Sequence, residues 1–263
     1  MTLLLVFSGL FTNSGIRANT DPDEFKELRC EHFIVYYEEG VNREYAVEVK
    51  DIAEKFYRTI TGEFNLIRDK LWLWENRAKI YIAKDKESFL KKFKCSEWSA
   101  ACVDYQRKRI YTYPDDKRFK SVLIHELTHI IFREYVGSGN RALWLDEGMA
   151  TYMEDKYDKE AYSRQLKFLK KKIKNNEYIN LSRLNQITYK ELNTFSQEEV
   201  ALFYVESFSI IYFIIKENGR HNFWRFLYYL KSGKGTESAL AAAFYRWKNL
   251  EELEKQWKRF YQE

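Results

Sequence analysis

The stretch His125-Glu126-Leu127-Thr128-His129, followed through the turn VGSGN by Trp144-Leu145-Asp146-Glu147-Gly148-Met149-Ala150, decides how this chain of 263 residues is read. Side chains at i and i+4 of an α-helix lie one above the other on the same face, so His125 and His129 can share one metal ion. Glu126 sits about 100° around the helix from His125 and can border that ion without ligating it, the position a general base needs. Val122, Leu123, Ile124, Leu127, Ile130, Ile131 and Phe132 surround the motif. The helix is therefore expected to be buried on most sides, with its polar face on an internal cleft.

A third ligand has to come from elsewhere in the chain. The continuation HExxHxxGxxH is not met, because Phe132 stands at the glycine position and Tyr135 at the third histidine position. Glu147 opens the next periodic segment, Trp144 to Lys156, and is the expected third ligand. Two neutral nitrogens and one carboxylate are the donor set of a catalytic zinc that keeps one coordination position open. One Zn2+ per chain follows.

HELTH followed by WLDEGMATYME resembles the gluzincin superfamily of zinc metallopeptidases, and more closely its peptidase MA-like domains. The similarity runs from HFIVYY at residue 32 to the closing LEELEKQWKRFY. It implies Glu147 as third zinc ligand. Related aminopeptidases carry a tyrosine in a YxKG-like element that donates a hydrogen bond to the tetrahedral intermediate. YVES, from Tyr204, resembles the first half of that element and so implies a catalytic Tyr204 beside Glu126.

Departures limit what the resemblance carries. Where the aminopeptidases have a GxMEN-like strand, this chain has VDYQRKRIYTYPDD, so exopeptidase specificity is unsupported. Asp146, Glu147 and Thr151 do not reproduce the NExxSD element of thermolysin-type enzymes. His221 follows a helix-stopping glycine and reads as the start of the next helix. His32 begins a strand and reads as structural. Glu154, seven residues after Glu147, is either a second carboxylate that orients a ligand or an exposed helix residue.

The expected function is peptide-bond hydrolysis by an endopeptidase, with a zinc-activated water and Glu126 as general base. The alternative is an inactive zinc- or peptide-binding pseudopeptidase, which has no need of an intact Glu126. The expected partner is a peptide or protein substrate. A net charge of +5 is too small to imply nucleic acid, and the basic run from Lys167 has the apolar spacing of a solvated helix face. Oligomeric state is not legible.

The apolar run LLLVFSGLF from Leu3 is too short to span a bilayer. It fits a secretory h-region with Ala18 at the cleavage edge, which makes residues 1–20 a signal peptide or a disordered tail and favours an extracytoplasmic protein over a cytoplasmic one. Cys95 and Cys102 flank CSEWSAAC and can close a disulfide in an oxidising compartment, leaving Cys30 over. As small buried hydrophobes the three are equally well explained.

The chain has 20 Tyr and 19 Phe against 2 Pro and 10 Gly, which suits long helices with short connections. The fold class is α+β: a small mixed sheet lobe, residues 21–116, then the HExxH helix and a mainly helical lobe, residues 117–263, as in a gluzincin. Strands are predicted at His32 to Glu38 and Ala78 to Ala83, with a hairpin from Ala101 to Tyr105 and Arg109 to Tyr113. The hairpin's second strand, RKRIYTY, is expected to be an exposed edge able to pair with an extended peptide. A helix is predicted from Asn42 to Ile60, stopping near Gly62. Further helices are predicted over 117–135, 145–156, 158–175, 198–217, 222–231, 237–247 and 250–261, with Gly219 and Gly233 as stops.

Overall fold

A computed structural model of the chain describes residues 24–67, 71–95, 101–114, 119–137 and 142–262, the side chains of 159–164 excepted. The apolar run at Leu3 lies outside these residues. Two compact units are present: residues up to Ile60 with Arg68–Ile130, and Thr61–Ile67 with Ile131–Glu263.

The first unit is built on a five-stranded mixed sheet in the order β1-β2-β3-β5-β4, formed by β1 (Phe25–Arg29), β2 (Phe33–Glu38), β3 (Ala78–Ile82), β4 (Ala101–Asp104) and β5 (Arg109–Thr112). β2, β3 and β5 run parallel, while β1 and β4 pair antiparallel at the two ends. Parallel neighbours need long crossovers. The first is α1 (Arg43–Phe64), whose buried residues Ala46, Val49, Ala53, Phe56, Tyr57, Ile60 and Phe64 recur at three- and four-residue intervals. Tyr57 on that face meets Phe33 of β2 edge-on at 6.2 Å. The second crossover contains α2 (Lys86–Phe93), started by the Asp85 side chain accepting from the Ser88 amide at 2.8 Å. Its Phe93 lies 4.7 Å from Tyr111, which stacks on Tyr81, which stacks in turn on Tyr36, so aromatic rings cross β5, β3 and β2.

The order of the hairpin strands corrects one expectation. β5 is internal, bonded to β3 on one side and β4 on the other, so among the described strands the edge next to it is β4. The physical reason is burial: Ile110, Tyr111 and Thr112 are almost fully enclosed, whereas Ala101 and Cys102 of β4 are only half-buried. Cys95 and Cys102 are joined by a disulfide with a Cα–Cα distance of 6.1 Å, and Cys30 is a free thiol.

The second unit is helical. It takes the last turns of α3 (Phe119–Val136), then α4 (Leu143–Tyr157), α5 (Lys159–Lys174), the single turns α6 (Leu181–Leu184) and α7 (Tyr189–Leu192), α8 (Gln197–Lys231), α9 (Thr236–Ala243) and α10 (Leu250–Gln262). A capping box between Ser196 and Glu199 starts α8. Gly219, at φ 76°, breaks it into two helices that abut without a loop, which is why 198–217 and 222–231 read as separate helices in the sequence. Gly62 does not stop α1, which runs on to Phe64. No helix among the described residues is long and apolar enough to cross a membrane.

Candidate metal centre

α3 is enclosed along its length, with Leu123, Leu127, Ile131 and Phe132 at 0% exposure. Thr128, polar in the middle of this helix, returns its hydroxyl to the Ile124 carbonyl at 2.7 Å. His125 and His129 are both buried, and their Nε2 atoms converge to 3.1 Å. Two nitrogens bound at 2.0–2.1 Å around a tetrahedral ion stand roughly 3.3 Å apart, so the pair already has a ligand spacing. Glu147, one turn into α4, completes the group: one ligand atom from each of His125, His129 and Glu147 lies within 4.8 Å of the others. Two imidazole nitrogens and a carboxylate are a donor set that fits zinc.

Glu126 is buried on the same helix, and its Oε2 accepts a hydrogen bond from the Tyr105 hydroxyl at 2.6 Å. Tyr105 is the first residue after β4. Asp104 fixes that turn by accepting from the Arg107 amide at 3.0 Å and from the Arg107 guanidinium at 3.3 Å. The ring of Tyr105 also stands edge-on to His129, 6.0 Å between centroids. Sequence reasoning did not single out Tyr105.

The α4 side of the centre is held by contacts within the second unit. Arg133, two turns beyond His125 on α3, donates from Nε to Asp146 Oδ2 at 2.7 Å and from Nη2 to the Tyr189 hydroxyl at 2.7 Å. Tyr189 donates in turn to Glu147 Oε1 at 2.7 Å. Tyr189 is the first residue of α7, a turn capped by Thr188 and seated on the buried Ile187 and Leu192. Trp144, at the start of α4, donates to Asn185 Oδ1 at 3.1 Å in the segment that leads to it. Behind Glu147, Gly148 allows α4 to approach α8 so closely that a Cβ at that position would lie 2.5 Å from the Ser207 carbonyl oxygen.

The remaining candidates fall as follows. Tyr204 lies in α8, 9% exposed and edge-on to Phe203 at 5.5 Å. Glu154 is half-buried in α4, and Tyr189, another residue that sequence reasoning missed, donates a hydrogen bond to Glu147. His221 is exposed beside Trp224, just after the break at Gly219. His32 makes a short contact of 2.5 Å from Nδ1 to Glu54 Oε1 and stacks on Tyr57 at 3.8 Å. Although Glu31, His32 and Glu54 also cluster closely enough for a metal, Arg58 bridges Glu31 at 3.0 Å and Glu54 at 3.5 Å, which makes this an ion-pair network. Burial raises the Glu54 carboxyl, but hydrogen bonds from His32 and Cys30 outweigh it and hold the group below its ordinary value.

Comparison with known proteins gives the fold and the family. Native yeast LTA4 hydrolase superposes with a TM-score of 0.51, at 16% identity, over 90% of this chain and 37% of its own. Native leukotriene A4 hydrolase from Saccharomyces cerevisiae gives 0.49, at 15% identity, over 80% of this chain and 33% of its own. The chain thus spans about a third of the length of these structures, and at this identity the first likeness shows a shared fold, a small mixed sheet followed by a mainly helical part. A search of the curated proteins gave no match. The model of the Peptidase MA superfamily matches residues 91–263, a span that contains both histidines, Glu126 and Glu147. The chain belongs to the Peptidase MA superfamily and has a gluzincin fold.

Proposed function

We propose that this chain is a zinc-dependent endopeptidase in which His125, His129 and Glu147 hold the metal and Glu126 is the general base. The observation that carries the reading is the convergence of two buried imidazoles and one buried carboxylate within 4.8 Å, with a second buried acid, Glu126, one residue from the first histidine. When bound, zinc would supply Lewis acidity and lower the pKa of water at the site towards neutrality. Glu126 would take a proton from the attacking water and return it to the leaving amine. Tyr105 holds the Glu126 carboxylate in place through its 2.6 Å hydrogen bond. Tyr204 is assigned to the developing oxyanion, on its resemblance to the tyrosine of the aminopeptidases. Loss of such a donor costs on the order of 3 kcal/mol in transition-state stabilisation.

The substrate in this reading is a peptide in extended conformation. Backbone hydrogen bonds to a strand edge would hold such a peptide with little dependence on sequence. The apolar run from Leu3 supports export from the cytoplasm, which amino-terminal sequencing of protein secreted from the native cells tests.

Cleavage of an unstructured protein or a peptide library by wild type, Glu126→Gln and Tyr204→Phe tests the mechanism. We expect Glu126→Gln to keep zinc and lose cleavage, and Tyr204→Phe to lose about two orders of magnitude in kcat. Undiminished cleavage by Glu126→Gln would refute the mechanism. Zinc binding without cleavage by wild type would point to a binding module instead.

A further inference from the structure

We infer that Tyr189 is a positioning residue for the metal site: its hydroxyl, polarised by Arg133, fixes the Glu147 carboxylate as a ligand. The inference rests on the proposed zinc site and adds the device that holds its third ligand ready. The direction of each hydrogen bond follows from chemistry. A guanidinium has donors only, so at 2.7 Å from Arg133 Nη2 the Tyr189 oxygen must accept. Its single proton is then committed to Glu147 Oε1, also at 2.7 Å. The phenol that accepts from a cation becomes a stronger donor, since hydrogen bonds in a chain polarise one another.

Asp146 closes the arrangement. Its 2.7 Å bond to Arg133 Nε orients the guanidinium fork and balances its charge next to the metal site. Because Asp146 and Glu147 are consecutive in α4, a single residue of α3, Arg133, reaches one directly and the other through Tyr189. Arg133 is also two turns from His125 and one from His129 on one continuous helix. Without the phenol, Glu147 would sample other rotamers in the metal-free protein, and ordering it would be charged against zinc binding. Partners of this kind typically change metal affinity by about 10- to 100-fold.

The test is the zinc dissociation constant of purified full-length apoprotein, read by competition with a chromophoric chelator, together with the thermal midpoint of the same apoprotein. Tyr189→Phe keeps the ring and removes only the hydroxyl. We expect zinc binding to weaken by about 10- to 100-fold while the apoprotein midpoint stays within a few degrees of wild type. Arg133→Lys, which keeps the charge and loses the fork, should weaken zinc in the same direction, and serves as the test if Tyr189→Phe does not fold. Wild-type affinity in a folded variant would overturn the inference. So would a loss of affinity matched by a comparable loss of apoprotein stability, which would assign Tyr189 to folding. Failure of wild type itself to bind zinc would instead overturn the proposed function.

Discussion

Replacing Gly148 by alanine should destabilise this protein, although the same change in an open helix position stabilises. In α4 an added Cβ would lie 2.5 Å from the Ser207 carbonyl oxygen, 2.8 Å from its carbon and 2.9 Å from Ile211 Cγ1. Ordinary contact begins at 3.4 Å, so α4 and α8 would have to separate by about 0.9 Å. Two of the three obstacles are backbone atoms of a buried helix and cannot rotate away. Overpacking of this kind costs about 1–3 kcal/mol. Alanine recovers roughly 0.5–1 kcal/mol of helix propensity over glycine, so at the middle of both ranges the net loss is about 1 kcal/mol.

Gly62 is the internal control. It lies in the last turn of α1 with no atom within 4 Å of its added Cβ. Gly62→Ala should therefore gain about 0.4–1 kcal/mol. Chemical denaturation of the metal-free proteins measures both, and thermal midpoints should move in opposite directions, down by about 2–4 °C for Gly148→Ala and up by about 1–3 °C for Gly62→Ala. A Gly148→Ala protein as stable as Gly62→Ala would refute the close approach. Because Glu147 adjoins the displaced residue, Gly148→Ala should also weaken zinc binding.

Burial pushes the Glu206 carboxyl well above its ordinary value, with the nearby Glu254 adding to the shift, so the folded state holds a proton that the unfolded chain has released. Stability should therefore fall as pH rises above the unfolded value, by up to about 1.4 kcal/mol per pH unit, and Glu206→Gln should remove that slope; parallel profiles from pH 5 to 7 would contradict it. Glu63, 4% exposed at the side chain, accepts from Tyr152 at 3.0 Å and pairs with Lys156 and, at 3.0 Å, with Arg220. Glu63→Ala should cost about 1 kcal/mol in urea denaturation, chiefly by leaving the part-buried Tyr152 hydroxyl without its acceptor, and no measurable change would mean that solvent replaces the carboxylate. The Cys95–Cys102 link leaves Cys30 as the one thiol, so denatured, unreduced protein should titrate one thiol and reduced protein three.

The centre was legible where it depends on local geometry. His125, Glu126 and His129 are fixed relative to one another by the helical repeat alone, and Glu147 follows from the need for a third donor. Tyr105 and Tyr189 were not legible, because each reaches its carboxylate across tertiary structure and nothing local sets them apart from the other tyrosines of a chain that has 20. Arg133 carries no signal until Asp146 is placed opposite it. The sheet shows the same division. β2 and β3 announce themselves by their apolar, β-branched and aromatic runs, whereas β1 (FKELR) is too polar to stand out, as suits a strand at the end of a sheet. A hairpin can dock by either strand, and nothing in the short segments RIYT and ACVD says which of the two is the inner one.

The most direct measurement is zinc per chain, by elemental analysis after exhaustive dialysis, of wild type, Glu126→Gln and Glu147→Ala. We expect about one zinc in wild type and in Glu126→Gln and well under half in Glu147→Ala. Equal zinc in wild type and Glu147→Ala, or no zinc in a folded wild type that still cleaves peptides in the presence of chelator, would contradict a centre built from His125, His129 and Glu147.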